Sequence, residues 1–547
     1  MPKKVLGRAM RQTIAQAFCH TVEYYPEHAF IAVPAAEGRG YHEEGIEWTY
    51  RECAATVDGL AARYRESGYG NGHRVALALD NRPEHILHRL ALNMIGVSVV
   101  PVNPDYRPPE LAYLLEHSEA SLIVHLARHN ATVRAASAQL GQVLPAWVFE
   151  DNDDTFPGPA RKVQTGPISN ASESSLLYTS GTTGQPKGCI LSNQYELMCA
   201  ARYADLEGLF GFRHGAERVY NPLPLYHVNA GVVSLLGMML TGGCQIQPDR
   251  FHPRSWWRDV AETRATAIHY LGVVAPMLLN QPEDPLERQH DVRFGFGAGV
   301  EPELHAVFES RFNFPLVEVW GMTEMCRVLA ANLEPRKRGT RAMGRPVPGL
   351  EVEIWNENDE PVLEGEVGEM VVRYSAEQPR LGAFSGYLKD EAATEHAWRG
   401  GWFHTGDSVV RAVDGMLHFV DRKKNIIRRS GENISAAEIE ATLQVLDEVE
   451  QVAVLAVPDE TREEEVLACV VARPGALTGE ALARHLFDHC NQRLAYYKAP
   501  GWILFVGELP KTGSQKIQKH LIFESGADQR NSPGMIDLRF LKQRSRV

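Results

Sequence analysis

The segment from residue 178 to 188 reads YTSGTTGQPKG and combines residue types suited to holding a chain of phosphates. Its three glycines allow positive φ at little cost, so successive backbone N–H groups can converge on an anion. Hydroxyl groups add further donors, and one lysine adds a full positive charge. The predicted phosphate-binding residues are Thr179, Ser180, Gly181, Thr182, Thr183, Gly184 and Lys187. The segment therefore predicts a nucleotide as ligand.

This pattern differs from the P-loop pattern GxxxxGK[ST], in which the lysine follows the second glycine directly. Here Gln185 and Pro186 lie between Gly184 and Lys187. An ordinary P-loop NTPase is therefore disfavoured. A flexible Gly/Thr loop without a ligand is the alternative, and the rest of the chain has to decide between the two.

A second motif, residues 319–324 (VWGMTE), places four different chemical groups close together. Trp320 offers a stacking face, and Gly321 allows a ligand to approach the backbone. Thr323 offers a donor to an α-phosphate, and Glu324 offers a hard oxygen ligand for Mg²⁺. A buried tryptophan followed by a helix cap is the alternative interpretation.

Two further stretches carry weaker signals. In residues 294–302, Gly295, Gly297 and Gly299 would allow a flat ligand to lie against the backbone. Residues 221–229 contain two prolines and predict a loop that ends near His227. Without context a histidine is more often packed than functional, so spacing alone gives His227 no role.

Taken in order, these stretches and those at 401–407 and 510–517 resemble the motifs of the adenylate-forming superfamily. That superfamily includes acyl-CoA synthetases, the adenylation domains of peptide synthetases and firefly luciferase. The resemblance covers nearly the whole chain and implies a reaction in two stages. A carboxylate attacks the α-phosphate of ATP to give acyl-AMP and pyrophosphate, and a thiol then displaces AMP. The implied ligands are ATP, Mg²⁺, coenzyme A and a small-molecule carboxylic acid.

The resemblance also implies roles for individual residues. ATP and AMP binding is implied for Gly297, Ala298, Gly299, Trp320, Gly321, Met322, Thr323, Asp407 and Arg422, with Asp407 on the ribose. Binding of the acyl group and CoA is implied for His227, Val228, Tyr270, Gly272, Val273, Gly431 and Glu432. Catalytic roles are implied for Lys516, Thr323, Glu324 and His227, with Glu324 as the metal ligand and His227 as a gate to the pantetheine tunnel. Lys424 occupies the hinge about which the small domain rotates between the two stages.

The sequence does not determine the acid. Residues 419–422 and 427–433 resemble the crotonobetaine/carnitine-CoA ligase branch, which implies a small betaine-like acid, and a medium-chain acid is the other candidate. The aromatic residues Tyr226, Trp256, Trp257 and Tyr270 could surround a quaternary ammonium, although the two tryptophans are better explained as core residues of a helix. Two other functions stay open: loading of a carrier-protein phosphopantetheine, and nucleotide binding without ligase activity. The presence of Glu324 and Lys516 argues against the second.

Composition restricts the class of protein. The 547 residues are 44% hydrophobic and 23% charged, which is typical of a soluble globular protein, and the net charge of −13 disfavours a nucleic-acid partner. The N-terminus lacks the apolar run of a secretory signal. The most apolar segment, 231–240, is too short to span a membrane and predicts a buried helix. We therefore expect a cytoplasmic enzyme without an integral membrane segment, present as a monomer or homodimer.

The predicted fold class is α/β. The strand, helix, strand pattern of 73–79, 84–96 and 97–102 is typical of a parallel α/β layer. We expect a large domain, 1–423, with two α/β subdomains (1–170 and 171–345) and a small β-rich subdomain (346–421). A small mobile α+β domain should follow over 424–530, with a helix that starts from a capping box at 435–438. Residues 531–547 should form a solvated tail.

Overall fold

The computed structural model describes residues 6–7, 9–151, 155–163, 166–179, 185–272, 274–300, 302–325, 329–356, 358–422, 426–510, 517, 519, 522–523 and 528–542. The α-helices are α1 (Ile14–Tyr24), α2 (Tyr50–Glu66), α3 (Pro83–Met94), α4 (Pro108–His117), α5 (Asn130–Ser137), α6 (Asn193–Ala204), α7 (Leu235–Thr241), α8 (Trp256–Glu262), α9 (Val274–Leu279), α10 (Pro302–Phe312), α11 (Glu391–Ala397), α12 (Ala436–Gln444) and α13 (Glu480–Arg493).

The strands of the large domain are β1 (Ala29–Val33), β2 (Ile46–Thr49), β3 (Arg74–Ala78), β4 (Ser98–Pro101), β5 (Leu122–His125), β6 (Ala146–Val148), β7 (Glu173–Thr179), β8 (Lys187–Ser192), β9 (Arg218–Tyr220), β10 (Cys244–Ile246), β11 (Ala267–Leu271), β12 (Phe294–Ala298), β13 (Leu316–Trp320), β14 (Leu329–Ala330), β15 (Ala342–Gly344), β16 (Glu351–Trp355), β17 (Val367–Arg373), β18 (Gly386–Tyr387), β19 (Phe403–Arg411) and β20 (Leu417–Arg422). The strands of the small domain are β21 (Ile426–Arg429), β22 (Glu432–Ser435), β23 (Val449–Asp459), β24 (Glu463–Ala472), β25 (Trp502–Phe505) and β26 (Ile536–Asp537).

Two large mixed sheets form the first part of the chain. One has the order β14-β13-β12-β11-β9-β10-β1-β2, and the other has the order β18-β8-β7-β4-β3-β5-β6. The helices cover these sheets, so the α/β class predicted from the sequence is confirmed. The predicted boundary at residue 170 does not separate the sheets: β1 and β2 join the later strands, while β7 and β8 join the earlier ones.

A five-stranded antiparallel sheet, β15-β20-β19-β17-β16, forms a smaller third layer. It spans residues 342–422, close to the β-rich subdomain predicted at 346–421. Its strand β19 carries Asp407, which the sequence analysis placed on a ribose. The third layer therefore carries a candidate ribose-binding residue in addition to its own small core.

The C-terminal domain is a sheet of order β22-β21-β24-β25-β26, with β23 paired to β24, packed against α12 and α13. Ile439 and Leu443 are fully buried on α12, as the apolar face of the predicted helix requires. The expected solvated tail is wrong for residues 536–542. In that segment β26 pairs with β25, and the ammonium of Lys542 is buried against Glu465 and the carbonyl of Tyr497.

Local sequence explains how several elements begin. Thr49 accepts a hydrogen bond from the backbone of Glu52, whose side chain bonds back to Thr49, so α2 starts from the predicted capping box. A π-helical turn, Asn229–Ser234, precedes α7, and together they form the buried helix predicted at 231–240. Trp256 and Trp257 are core residues of α8, as predicted.

Within the described part of the chain, no helix is long and apolar enough to cross a membrane.

Candidate active site

A cavity of about 740 Å³ lies where the two large sheets, the third layer and the C-terminal domain meet. The carboxyl ends of β7, β12 and β13 reach it, together with the loop after β9 and the turn between β21 and β22. Parallel strands place their carboxyl ends at one edge of a sheet, which explains why motifs far apart in sequence converge here. The cavity therefore gathers most of the described candidate residues into one site.

The described ends of the candidate phosphate-binding segment are paired as neighbouring antiparallel strands. Thr179 ends β7 and Lys187 begins β8, and the two residues are partners in the antiparallel register. The ammonium of Lys187 lies 3.4 Å from Oδ2 of Asp390 and 4.9 Å from the centre of the Tyr387 ring. Both Thr179 and Lys187 line the cavity, so the segment is anchored at its rim.

The glycines in and just after β12 are explained by two different features of the structure. A Cβ atom at Gly297 would collide with Tyr270 on the neighbouring strand β11, and one at Gly295 would collide with Leu316 on β13 and crowd the Tyr270 ring. These two glycines make room for Leu316 and Tyr270, so the close approach of a ligand is not needed to explain them. Gly299 differs, because it has a φ of +86° and a Cβ atom there would make only ordinary van der Waals contact with Gly272, at 3.8 Å. Ala298 and Gly299 line the cavity.

Glu318, a residue that the sequence analysis missed, holds this wall together. Its Oε1 accepts a hydrogen bond of 2.7 Å from the hydroxyl of Tyr270, and its Oε2 accepts one of 2.7 Å from the backbone N–H of Gly299. Burial raises the pKa of the Glu318 carboxyl, against these bonds. The available sequence signal is its position two residues before Trp320, on the same face of β13.

Two candidate nucleotide-binding residues, one on β13 and one on β19, contact each other directly. The indole nitrogen of Trp320 donates to Oδ2 of Asp407 over 2.8 Å. Asp407 is also the register partner of Arg422 across β19 and β20, so those two residues are adjacent in the sheet. Trp320 and Asp407 are both buried, and both line the cavity.

Thr323 and Glu324 follow directly after β13 and line the same cavity. Oε1 of Glu324 accepts a hydrogen bond of 2.9 Å from the hydroxyl of Tyr387, which fixes the direction of the carboxylate. Burial and the nearby Glu324 raise the pKa of Tyr387, so this phenol stays protonated and can only donate to the carboxylate. Tyr387 carries no recognisable motif, and the sequence analysis did not find it.

The turn between β21 and β22 brings the C-terminal domain to the cavity. Oε1 of Glu432 accepts a hydrogen bond of 2.8 Å from the hydroxyl of Tyr226, and its Oε2 lies 3.5 Å from Nε2 of His227. Burial opposes ionisation of Glu432, but the nearby imidazole of His227 and the hydrogen bond from Tyr226 leave its pKa below the ordinary value. Gly431 lies against Leu271, since a Cβ atom there would collide with Cδ1 of Leu271.

Polar contacts fix this docking of the two domains. The ammonium of Lys498 lies 2.8 Å from Glu110 of the large domain and 3.0 Å from Glu438 of the small domain. Asn103 donates to the hydroxyl of Tyr497 across the same boundary, over 2.7 Å. These contacts place the 431–432 turn, rather than another surface of the small domain, at the cavity.

The remaining predicted site residues either lie at or near the cavity or fall outside the described part of the chain. Gly321, Met322, Val228 and Tyr270 line the cavity or pack beside it, and Gly272 lies against Gly299 and Glu463. The side chain of Arg422 is not described. Outside the described residues lie 180–184, Val273, Lys424 and Lys516.

Known protein families match this chain in two parts, which correspond to its large and small domains. The sequence profile of the AMP-binding enzyme family matches residues 18–388, and that of the AMP-binding enzyme C-terminal domain matches 438–516. The chain is 30% identical to a sulfoacetate–CoA ligase of Cupriavidus necator, over 93% of this chain and 96% of the relative. It is 29% identical to a crotonobetaine/carnitine–CoA ligase of Citrobacter koseri, over 87% and 93%. A solved o-succinylbenzoate CoA synthetase from Bacillus subtilis has the same fold, with a TM-score of 0.79, 22% identity, and coverage of 93% and 98%.

The chain belongs to the AMP-binding enzyme family. Within that family, it is an AMP-forming acid–CoA ligase that uses ATP and CoA, as the resemblance to acyl-CoA synthetases predicted.

Proposed function

We propose that this ligase joins a small carboxylic acid to free CoA, and that the described arrangement of domains is the one that forms the thioester. The observation that carries the proposal is the position of the 431–432 turn. Gly431 lies against Leu271 at the cavity, and Glu432 contacts both Tyr226 and His227. Any side chain at this position would collide with Leu271, and the proposed role of the glycine is to leave room for the thiol at the cavity.

In the thioester step, Glu432 would act on the loop that carries His227. Its carboxylate holds Tyr226 by a hydrogen bond and faces Nε2 of His227, which draws the imidazole toward the small domain. The proposed consequence is that docking of the small domain moves this gate away from the acyl pocket. A thiol could then reach the acyl carbon and displace AMP.

In the adenylation step, Thr179 and Lys187 would bind the outer phosphates, and Thr323 would donate to the α-phosphate. Trp320 would stack on the adenine, and Asp407 would accept from the ribose hydroxyls. The carboxylate of Glu324 suits Mg²⁺, because it offers hard oxygen atoms at the cavity and Tyr387 orients it. When bound there, the ion would supply positive charge to the phosphate oxygens. Lys516 would join this set only in the other arrangement of the domains.

The acid is proposed to be short and polar. The names of the relatives, sulfoacetate–CoA ligase and crotonobetaine/carnitine–CoA ligase, support this class. Of the four aromatic residues considered for a betaine, Tyr226 and Tyr270 line the cavity, whereas Trp256 and Trp257 lie in the core and cannot contribute. A medium-chain acid is the competing candidate.

A panel of short polar, betaine, medium-chain and aromatic acids tests the proposal through CoA- and ATP-dependent formation of AMP. Turnover confined to medium-chain or aromatic acids would contradict the substrate class. A second arm replaces CoA with a phosphopantetheine-bearing carrier protein. Turnover only with the carrier would contradict free CoA as the acceptor, and AMP formation without any acid would contradict ligation itself.

A further inference from the structure

A cluster of buried polar side chains lies behind the cavity wall at the start of the π-helical turn. Its members are Tyr203 on α6, Asn221 after β9, Asn229 and Ser234 in the turn, and His269 on β11. All except Asn229 are fully buried, and Asn229 lines the cavity. The hydrogen bonds within this cluster determine which atoms Asn229 presents to a ligand.

The first fixed group is the amide of Asn221. Its Oδ1 accepts a hydrogen bond of 3.0 Å from the backbone N–H of Leu223, which can only donate. The amide nitrogen therefore points the other way. It donates to Oγ of Ser234 over 2.8 Å and to Oδ1 of Asn229 over 3.0 Å.

The second fixed group is the imidazole of His269. Burial lowers its pKa to about 3, so the ring is neutral and carries one N–H. Nδ1 lies 2.7 Å from Oδ1 of Asn229, and Nε2 lies 2.6 Å from the hydroxyl of Tyr203. With the proton on Nδ1, His269 donates to Asn229 and accepts from Tyr203. In the other tautomer, the lone pair of Nδ1 would face a lone pair of Asn229 Oδ1 at 2.7 Å. With the proton on Nδ1, the unfavourable neighbour is the amide nitrogen of Asn221, which is farther away at 3.2 Å. The tautomer with the proton on Nδ1 is therefore preferred.

Both bonds end on the same oxygen of Asn229, so its amide cannot be turned around. The nitrogen, on the opposite side of the amide, has no partner among the described residues. We propose that Asn229 is a specificity-determining residue whose N–H group binds an oxygen acceptor on the acyl chain. The preferred substrate is then a short acid with a hydroxyl, oxo or sulfo oxygen beyond its carboxyl group.

This inference rests on the proposed function and makes it more specific. A purely hydrocarbon chain would cover the amide nitrogen of Asn229 and leave its N–H group without water or a partner. Sites built around a buried donor discriminate strongly against analogues that lack the acceptor. We expect a preference of about tenfold or more in kcat/KM for the acceptor-bearing acid of a matched pair.

The test compares 3-hydroxybutyrate with butyrate, and sulfoacetate with propionate, by acid-dependent release of pyrophosphate. The wild-type protein should prefer the first acid of at least one pair.

Asn229→Leu keeps the size of the side chain but lacks the donor, so it should remove that preference. Asn229→Asp keeps an acceptor for Asn221 and His269 but turns an oxygen toward the cavity, and it should also remove the preference. Ser234→Ala, which lies in the cluster but not at the cavity, should retain it.

Equal kcat/KM of the wild-type protein for both members of both pairs would overturn the inference while leaving the ligase proposal intact. A preference that survives in Asn229→Leu would overturn it as well. The proposed function itself would fail in a different way, through the absence of acid-dependent pyrophosphate release with every acid. The wild-type comparison needs no variant, so the inference can be contradicted even if a variant does not fold.

Discussion

The indole nitrogen of Trp320 lies 2.8 Å from Oδ2 of Asp407, and both side chains are buried. A carboxylate can accept about four hydrogen bonds, and Asp407 can therefore bind the indole and ribose hydroxyls together. Trp320 thus has a second proposed role beside stacking, which is to orient the carboxylate that receives the ribose.

Trp320→Phe should raise the KM for ATP about tenfold or more, because it keeps an aromatic ring but removes a hydrogen bond to a charged group. Steady-state kinetics at saturating acid and CoA measure the effect. Trp147→Phe is a matched control, because Trp147 is equally buried and its indole nitrogen has no partner among the described residues. An unchanged KM for ATP in Trp320→Phe would show that the indole does not orient Asp407.

Lys187→Ala should weaken binding of ATP by roughly tenfold and leave binding of AMP nearly unchanged. The reason is that the lysine is proposed to contact the outer phosphates, which AMP lacks. Calorimetry with each nucleotide measures both affinities. Lys389→Ala, which removes an exposed ammonium 3.1 Å from Glu119, is the control. Equal losses for ATP and AMP would mean that Lys187 is assigned to the wrong phosphate.

The strand that carries Trp320 begins at a pH-sensitive contact. The backbone N–H of Leu316 donates to Oε1 of Glu309 over 2.9 Å, and Arg336 lies 2.6 Å from the same oxygen. Burial opposes ionisation of Glu309, but hydrogen bonds from His305, Arg336 and Leu316 lower its pKa from 4.5 to about 2. A lowered carboxyl pKa stabilises the folded state above pH 4.5, and this contribution is lost as the pH falls toward 2.

Glu309→Gln should therefore reduce the free energy of unfolding most at neutral pH and progressively less between pH 4.5 and 2. Urea unfolding of both proteins across that range measures the difference. Glu283→Gln, at an exposed position, should show no such trend. A difference between wild type and Glu309→Gln that stays constant with pH would contradict the assignment.

The local features of this protein were predictable from its sequence because they depend on neighbouring residues. The capping box of α2 uses residues three apart, and the apolar face of α12 repeats with the helical period. Thr179, Ala298 and Thr323 lie at or just after the carboxyl ends of strands in the large sheets, whereas Asp407 lies within the antiparallel strand β19, so the strand pattern alone did not predict their meeting at one cavity. The family and the reaction class followed from the same motifs and are confirmed by the comparisons.

Non-local pairing explains what the sequence analysis missed. Nothing near β1 indicates that it pairs with β10, more than two hundred residues later, so the boundary at 170 was misplaced. Lys542 was assigned to a solvated tail because only the fold brings Glu465 and the carbonyl of Tyr497 to it. Burial lowers the pKa of Lys542 to about 7, a consequence that no sequence pattern indicates.

Two faces of the small domain are proposed to serve the two half-reactions, and measuring both half-reactions in two variants tests this. Gly431→Leu should block thioester formation from supplied acyl-AMP and spare acid-dependent pyrophosphate exchange, because the new side chain would collide with Leu271. Gly475→Leu is the control, since Gly475 shares a positive φ but has open space around it.

Lys516→Ala should do the reverse. It should slow pyrophosphate exchange by roughly a hundred- to thousandfold, the usual cost of losing one preorganised charge at the reacting phosphate, and leave thioester formation close to wild type. Opposite effects of Gly431→Leu and Lys516→Ala are the predicted result. If each variant depresses both half-reactions equally, a single fixed arrangement of the domains performs both steps, and the rotation of the small domain between them is contradicted.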